Sequence, residues 1–494
     1  MTSSLNQILK QLDLIEQKML QEEHEKSDLL KQLHPNHFHS ARNFIHYLVL
    51  RSEDIRGLQD LLHINGLSSL ASSESHIRRQ LQAIKQILGH EYKQKELDPC
   101  TYSFSMDSLE EKSEFLFGAK SEPEIPSIMV TFDSGFAENY TLIKSLLQNG
   151  MNVARINCAH DDEATWSKMI NKLKKASRNS GISCKIYMDL AGPKIRTKIL
   201  GKGKDKGKVK IKEGQLIWLA ESMAGFEKDE IVISPNEQGI LTMLKVGERV
   251  YIDDGLIRAV VEKVKKDAVG IRITRDSSKS GRIKAEKGIN FPDSIINIPA
   301  LTDYDRNCLP FVCANADLVG FSFVRNPHDM EELRSLLLEI SEETPAIILK
   351  IETPDAVKNL PMLLMDGMKM KGFGVMIARG DLAVEIGFER LGEIQEEILW
   401  ICEAAHVPVI WATQVLESLN KSGMVSRSEI TDASHAAHAD CVMLNKGDHT
   451  IEVLETLKDV LRRSATHRKK KRFMFRKLRI AERFFELVDK EKGS

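Results

Sequence analysis

The hydrophobic rhythm of the chain changes near Pro126. Before it, Leu5, Ile8, Leu12, Ile15 and Met19 alternate steps of three and four, the apolar stripe of an amphipathic helix. Glu22 and Lys26 interrupt this seam, so it predicts packing on the protein's own body rather than a long coiled coil. Pro35 ends the helix, and His34, His37 and His39 fall in the turn, where histidines are more often polar loop residues than metal ligands. Residues 41–64 and 74–88 read as two more helices, and the polar stretch 90–124 as a linker.

After Pro126, short apolar runs alternate with amphipathic helical segments. The runs are Ile128–Phe132, Asn152–Asn157, Lys185–Asp189, Asp317–Phe323, Ala346–Ile351, Gly374–Arg379, Pro408–Thr413 and Cys441–Asn445. Near-continuous apolar strands separated by helices predict a parallel sheet. Eight such units predict a closed (β/α)₈ TIM barrel, an α/β fold. The spacing breaks once, between Asp189 and Asp317. Residues 199–286 there are rich in β-type residues, glycine and lysine, which predicts a small all-β domain inserted after the third strand. Leaving from the barrel rim, it could close as a lid. The expected organisation is a helical extension and linker over 1–124, the barrel in two parts (125–198 and 287–466) around the insertion, and a basic helical tail over 467–494.

Composition excludes more than it assigns. Hydrophobic residues make up 42% and charged residues 29%, ordinary for a water-soluble core-forming chain. A net charge of −1 gives no case for nucleic acid or an anionic membrane. The seven cysteines are scattered with no Cys-x-x-Cys pair, against a disulfide framework or zinc ribbon and in keeping with a cytoplasmic location. The N-terminus lacks a signal-peptide core, and no apolar run is long enough to span a bilayer.

In a barrel of this kind, chemistry gathers at the carboxyl ends of the strands. Those ends carry Arg155 and Asn157, Asp189, Lys350 and Glu352, Arg379-Gly380-Asp381, and Thr413. Lys350 and Glu352 lie two apart on a strand and share a side. A lysine in such apolar company needs a partner. Alone the two would read as a structural ion pair; with polar groups converging from several strands they read as a site. Glu352 and Asp381 are two hard oxygen ligands, which suits Mg²⁺, with Mn²⁺ as the alternative. Arg155, Arg196 and Lys350 suit phosphate. Gly380 lets a ligand approach the backbone, and the N–H groups of Gly380 and Asp381 can hold a carboxylate. Together these groups suggest magnesium-dependent chemistry on a phosphorylated carboxylic acid.

The motifs that carry a resemblance are Met151-Asn-Val-Ala-Arg155-Ile-Asn157, Asp189-Leu-Ala-Gly-Pro-Lys-Ile-Arg196-Thr, Tyr251-Ile-Asp-Asp-Gly-Leu-Ile, Lys287-Gly-Ile-Asn-Phe-Pro, Leu349-Lys350-Ile-Glu352, Ile377-Ala-Arg-Gly-Asp381-Leu and Trp411-Ala-Thr413-Gln-Val-Leu-Glu-Ser418. In this order, over about residues 127–465, the chain resembles pyruvate kinase. The resemblance implies the glycolytic transfer of a phosphoryl group from phosphoenolpyruvate to ADP, giving pyruvate and ATP, by a cytoplasmic homo-oligomer. It implies that Lys350 stabilises the transferring phosphoryl and the enolate oxygen, and that Glu352 and Asp381 hold Mg²⁺. Gly380 and Asp381 would grip the substrate carboxylate and Arg155 its phosphate, with Thr413 on the face that takes up a proton. Arg196, Asn157, His160 and Lys287 match the nucleotide and phosphate side.

Three departures qualify it. The family's K⁺ ligands are represented by Asn157, Ala159, Asp189 and Leu190, and Lys194 stands where K⁺-dependent members carry Glu. Activity without K⁺ is therefore expected, with Lys194, near Asn157 and Asp189, supplying the charge. Asn445-Lys446-Gly447 replaces the family's Ser-Gly-Glu-Thr, and Thr131-Phe132-Asp133 departs from its Gly-Pro turn. After Arg463 the family's effector-binding domain has no counterpart, so sugar-phosphate control through it is expected to be missing. The competing readings are a magnesium-dependent oxo-acid lyase on the same barrel and a degenerate relative without catalysis.

Overall fold

Eight parallel strands close on themselves: Ser127–Phe132, Val153–Asn157, Lys185–Asp189, Leu318–Phe321, Ala346–Ile351, Phe373–Ala378, Val409–Ala412 and Cys441–Leu444. Each is hydrogen-bonded to the next in sequence, and the first pairs with the eighth. The computed structural model describes residues 2–278, 280–296, 298–470 and 472–473. All eight strands lie where the apolar runs place them, and the fourth, sixth, seventh and eighth have shorter carboxyl ends. The fourth stops at Phe321 and the seventh at Ala412 because Phe323 (φ 56°) and Thr413 (φ 65°) leave the β region, while Arg379 opens the helix Arg379–Ile386.

The strand period of two builds the interior in layers. Met129, Val153, Tyr187, Leu318, Ile348, Met376 and Ile410 form one apolar layer. Two residues further along each strand the inward positions are Thr131, Arg155, Asp189, Gly320, Lys350, Ala378 and Ala412. Chemistry therefore begins one layer above a sealed apolar floor. Gly320 is required there: a Cβ on it would stand 2.0 Å from the Tyr187 hydroxyl and 2.4 Å from Asp189 Oδ1.

The floor is closed from below by the chain's own N-terminal region. Leu116 and Phe117 join the same apolar cluster at the end of a helix, Tyr102–Phe117. This corrects the expected linker over 90–124. The helix is real because Leu109, Leu116 and Phe117 are buried against the barrel, a long-range gain that its polar composition hides. Thr101 caps it by accepting the Phe104 N–H. Upstream, the helix Phe38–Ser52 packs on the barrel's outer shell, with Asn43 donating to the Ala404 carbonyl at 2.8 Å, and the helices Thr2–Glu25, Arg56–Ile64 and Ile77–Ile87 bundle with it.

Between the third and fourth barrel strands, a seven-stranded sheet with an apolar core of its own runs from Thr197 to Asn290. Its two connections lie side by side: Arg196 bridges Gly288, and the Thr197 N–H donates to the Lys287 carbonyl at 2.7 Å. The tail departs from the expected helix. Arg468–Lys469 pairs antiparallel with Arg472–Phe473, because Lys470, at φ 52°, is drawn into the turn by Asp440 at 2.7 Å. The rest of the 467–494 expectation lies outside the described residues. Among the described residues, no helix is long and apolar enough to cross a membrane.

Candidate active site

Lys350 reaches the barrel mouth 9% exposed. Its ammonium donates to Ser322 Oγ at 2.6 Å and lies 3.0 Å from Glu352 Oε1 and 3.3 Å from Asp189 Oδ1. Burial penalises its charge, but Asp189 and then Glu352 outweigh that and hold its pKa above the ordinary lysine value. Lys350 is thus a fixed cation with three acceptors around it. Asp189 also accepts from two nitrogens of Arg155, Nε at 3.0 Å and Nη2, and from the Tyr187 hydroxyl at 3.2 Å. Arg155 spends a further N–H on Thr131 Oγ1 at 3.1 Å. Burial opposes the Asp189 carboxylate, yet Lys350 and Arg155 keep its pKa below the usual range.

Glu352 accepts the Phe323 N–H at 2.7 Å, which explains the left-handed Phe323: the bend turns its amide toward the carboxylate. Burial, only partly offset by Lys350 and reinforced by the charge of Asp381, pushes the Glu352 carboxyl up. Two carboxylates this close in a buried mouth form a place where a cation lowers the energy. Asp381 sits in the first turn of its helix and is met at 2.7 Å by Lys194. Gly380 faces Thr413 across an open gap: a Cβ there would find nothing nearer than the Thr413 side chain at 3.7 Å. Thr413 itself has a buried Oγ1 with no hydrogen-bond partner. A β-branched residue at φ 65° with an idle hydroxyl is a strained position facing that gap.

On the other side of Arg155 a cleft of ≈ 490 Å³ is lined by Thr131, Asp133, Asn157, His160, Asp254 and Lys446, among others. Burial, then the cations Lys446 and Arg196, lower the pKa of His160. Arg196 is half-buried and donates to the Glu286 carbonyl at 3.1 Å. Lys287 pairs with Asp253 at 2.8 Å. Both sit where the insertion joins the barrel.

The structure brings Arg155, Asp189, Lys350, Glu352, Asp381, Lys194, Gly380 and Thr413 to one mouth, with Asn157 and His160 in the adjoining cleft. Arg379, also at a strand end, is turned away. It donates to the Ala412 carbonyl at 2.9 Å and to the Thr413 carbonyl, pairs with Asp432, and stacks on Trp411. It fixes the wall behind Thr413. The surroundings of Lys194 also differ from expectation. Asn157 Oδ1 is occupied by the Ala159 N–H at 3.0 Å and Asp189 by Arg155 and Lys350, so the ammonium of Lys194 goes to Asp381. Ser322 was missed, although it follows the fourth strand and the strand-end rule could have found it. Lys446 and Glu385 were also missed. Glu385 accepts from Asn290 of the insertion at 2.7 Å, and its partner lies too far along the chain for any local signal.

Comparison with known proteins bears on this arrangement. The family profile described as pyruvate kinase, barrel domain, matches residues 126–451. The chain is 32% identical over 336 residues to a pyruvate kinase of Bacillus licheniformis, covering 66% of this chain and 55% of that protein. It is 34% identical over 329 residues to one of Dictyostelium discoideum, covering 65% and 62%. The chain therefore spans somewhat over half the length of the curated relatives it matches.

Proposed function

Because the chain belongs to the pyruvate kinase barrel-domain family, we propose that it transfers the phosphoryl group of phosphoenolpyruvate to ADP. The observation that carries this reading is the buried mouth in which Lys350 stands among Asp189, Glu352 and Ser322, with Asp381 and Thr413 facing it. Lys350 and Arg155 are held in place before substrate arrives, so their charges act on the transferring phosphoryl without reorganisation. Lys350 also stabilises the enolate oxygen left behind. Gly380 and Asp381 direct backbone N–H groups of a helix's first turn at the substrate carboxylate. Thr413, its hydroxyl unengaged, holds the proton on the face where the enolate carbon is protonated.

The family uses a divalent metal ion, and the residues present fit one. Glu352 and Asp381 are the hard-oxygen pair, and Mg²⁺ (or Mn²⁺) there would supply charge neutralisation between phosphate oxygens. Lys194, already against Asp381, adds a fixed positive charge where others of the family would need K⁺. Arg196, His160, Asn157 and Lys287 form the nucleotide side, and the insertion swings on the paired connections at Arg196 and Gly288. The reading extends to a homo-oligomer in the cytoplasm; the seven cysteines are unpaired, as a reducing compartment allows.

Pyruvate release measured with and without ADP tests the reaction class. A kinase forms pyruvate from phosphoenolpyruvate and Mg²⁺ only when ADP is present. Turnover of an oxo-acid without nucleotide would point instead to a lyase.

A further inference from the structure

Among the described residues, one group of three or more histidine, cysteine or carboxylate side chains brings its ligand atoms within 4.8 Å of one another: Glu396, His435 and His438. It lies away from the barrel mouth. Glu396 comes from the helix Leu391–Ala404, His435 ends the helix Arg427–His435, and His438 closes the 3₁₀ turn that follows. The i, i+3 spacing puts both histidines on one face, opposite Glu396. All three are half-buried.

The rings are held. His435 packs on Trp411 of the seventh barrel strand at 5.3 Å between centroids, and His438 meets it edge-on at 4.7 Å. His435 Nε2 closes on Glu396 Oε1, yet neither atom has a hydrogen bond of acceptable geometry. An ordinary ion pair would account for Glu396 and His435. His438 brings a third ligand atom to the same point. Beside the three lies a cleft of ≈ 180 Å³, also lined by Glu403, Asp440 and Lys470, with room for water or a small ligand. Lys470 is already paired with Asp440 at 2.7 Å, so its charge is offset.

Two imidazoles and one carboxylate are a donor set for a borderline transition ion rather than Mg²⁺, which prefers oxygen. Zn²⁺ holds such ligands at about 2.0–2.1 Å and keeps a fourth position for water where only three side chains are supplied. We propose that Glu396, His435 and His438 form a second divalent-metal site, selective for Zn²⁺-type ions, with its open position facing the cleft. The site is coupled to the barrel mouth through the helix Arg427–His435. One turn back, Asp432 on that helix pairs with Arg379, which donates to the Thr413 carbonyl. An ion at the cluster therefore braces the wall behind Thr413.

The test is a Zn²⁺ and Co²⁺ titration of the metal-stripped full chain in excess Mg²⁺, which keeps the hard-oxygen site filled. It is paired with anomalous scattering at the zinc edge from crystals grown with Zn²⁺. The expected result is an anomalous peak among the three side chains and one equivalent of Co²⁺ with the intense absorption of a tetrahedral nitrogen-ligated ion. His438→Ala leaves the His435–Glu396 contact and the Trp411 packing in place and should weaken Zn²⁺ binding about tenfold or more. His435→Ala should do the same, allowing for its packing. No peak at the cluster, or unchanged affinity in His438→Ala, would overturn the proposal and leave only an ion pair.

Discussion

At the scale of single residues, the mouth shows which groups are structural and which are idle, and the idle ones are the informative ones. Every polar group of Asp189 and Arg155 is engaged, whereas Thr413 Oγ1 is buried without a partner. Replacing Thr413 by valine keeps the shape and removes an unsatisfied hydroxyl. Stability should rise by about 1 kcal/mol, read from denaturant midpoints, while kcat falls roughly 10²-fold through loss of the proton donor. Lys194 gives a second prediction. The wild-type chain should turn over in K⁺-free buffer, and Lys194→Gln should lose about 10²-fold in kcat there, with little change in melting temperature because the side chain is partly exposed. A strict K⁺ requirement in the wild type would contradict the role given to Lys194. The inward position of Lys350 was legible in the sequence because the strand period fixes it, and Glu352, Asp381 and Thr413 were legible only as residues just past strand ends. What each one touches was not. Lys194 meets Asp381 rather than Asn157 and Asp189, since those two are already satisfied by the Ala159 amide and by Arg155 with Lys350.

At the scale of elements, two helices carry more than their sequences announce. The helix Tyr102–Phe117 read as linker because its apolar face is narrow, and only the barrel floor it meets gives that face value. Phe117→Ala should therefore cost about 3–5 kcal/mol in equilibrium unfolding, a penalty a linker residue would not incur. The helix Arg379–Ile386 joins the mouth to the insertion through Glu385 and Asn290. Burial, only partly offset by the Asn290 hydrogen bond, raises the Glu385 pKa to about 7. A carboxyl raised in the folded state favours folding fully below its unfolded pKa, near 4.5, and loses that contribution as pH rises through about 7. Without divalent metal, stability should thus fall between about pH 4.5 and 7 by roughly 3 kcal/mol from this group. Glu385→Gln should flatten that part of the profile. An identical slope in the variant would show that Glu385 stays ionised. The barrel strands were legible to within a residue or two; their early ends at Phe321 and Ala412 were not, because Phe323 and Thr413 bend away for contacts made across the site.

At the scale of the whole molecule, the barrel is enclosed from two directions by parts of the same chain. The N-terminal helices wrap its outer shell and plug its floor, while the all-β insertion stands at the mouth on paired connections. The order of strands and the place of the insertion followed from the spacing of apolar runs, since local periodicity and connection length dictate them. The wrapping by residues 2–117 rests on burial between distant segments, which periodicity does not encode. In the proposed reaction Lys350, held among Asp189, Glu352 and Ser322, is the charge on which phosphoryl transfer depends. Phosphorus NMR of the full chain with phosphoenolpyruvate, ADP and Mg²⁺, without K⁺, tests it most directly. The γ-phosphate signal of ATP should grow with the wild type and be absent on the same timescale with folded Lys350→Met. No ATP from the wild type, or undiminished ATP from the variant, would contradict it.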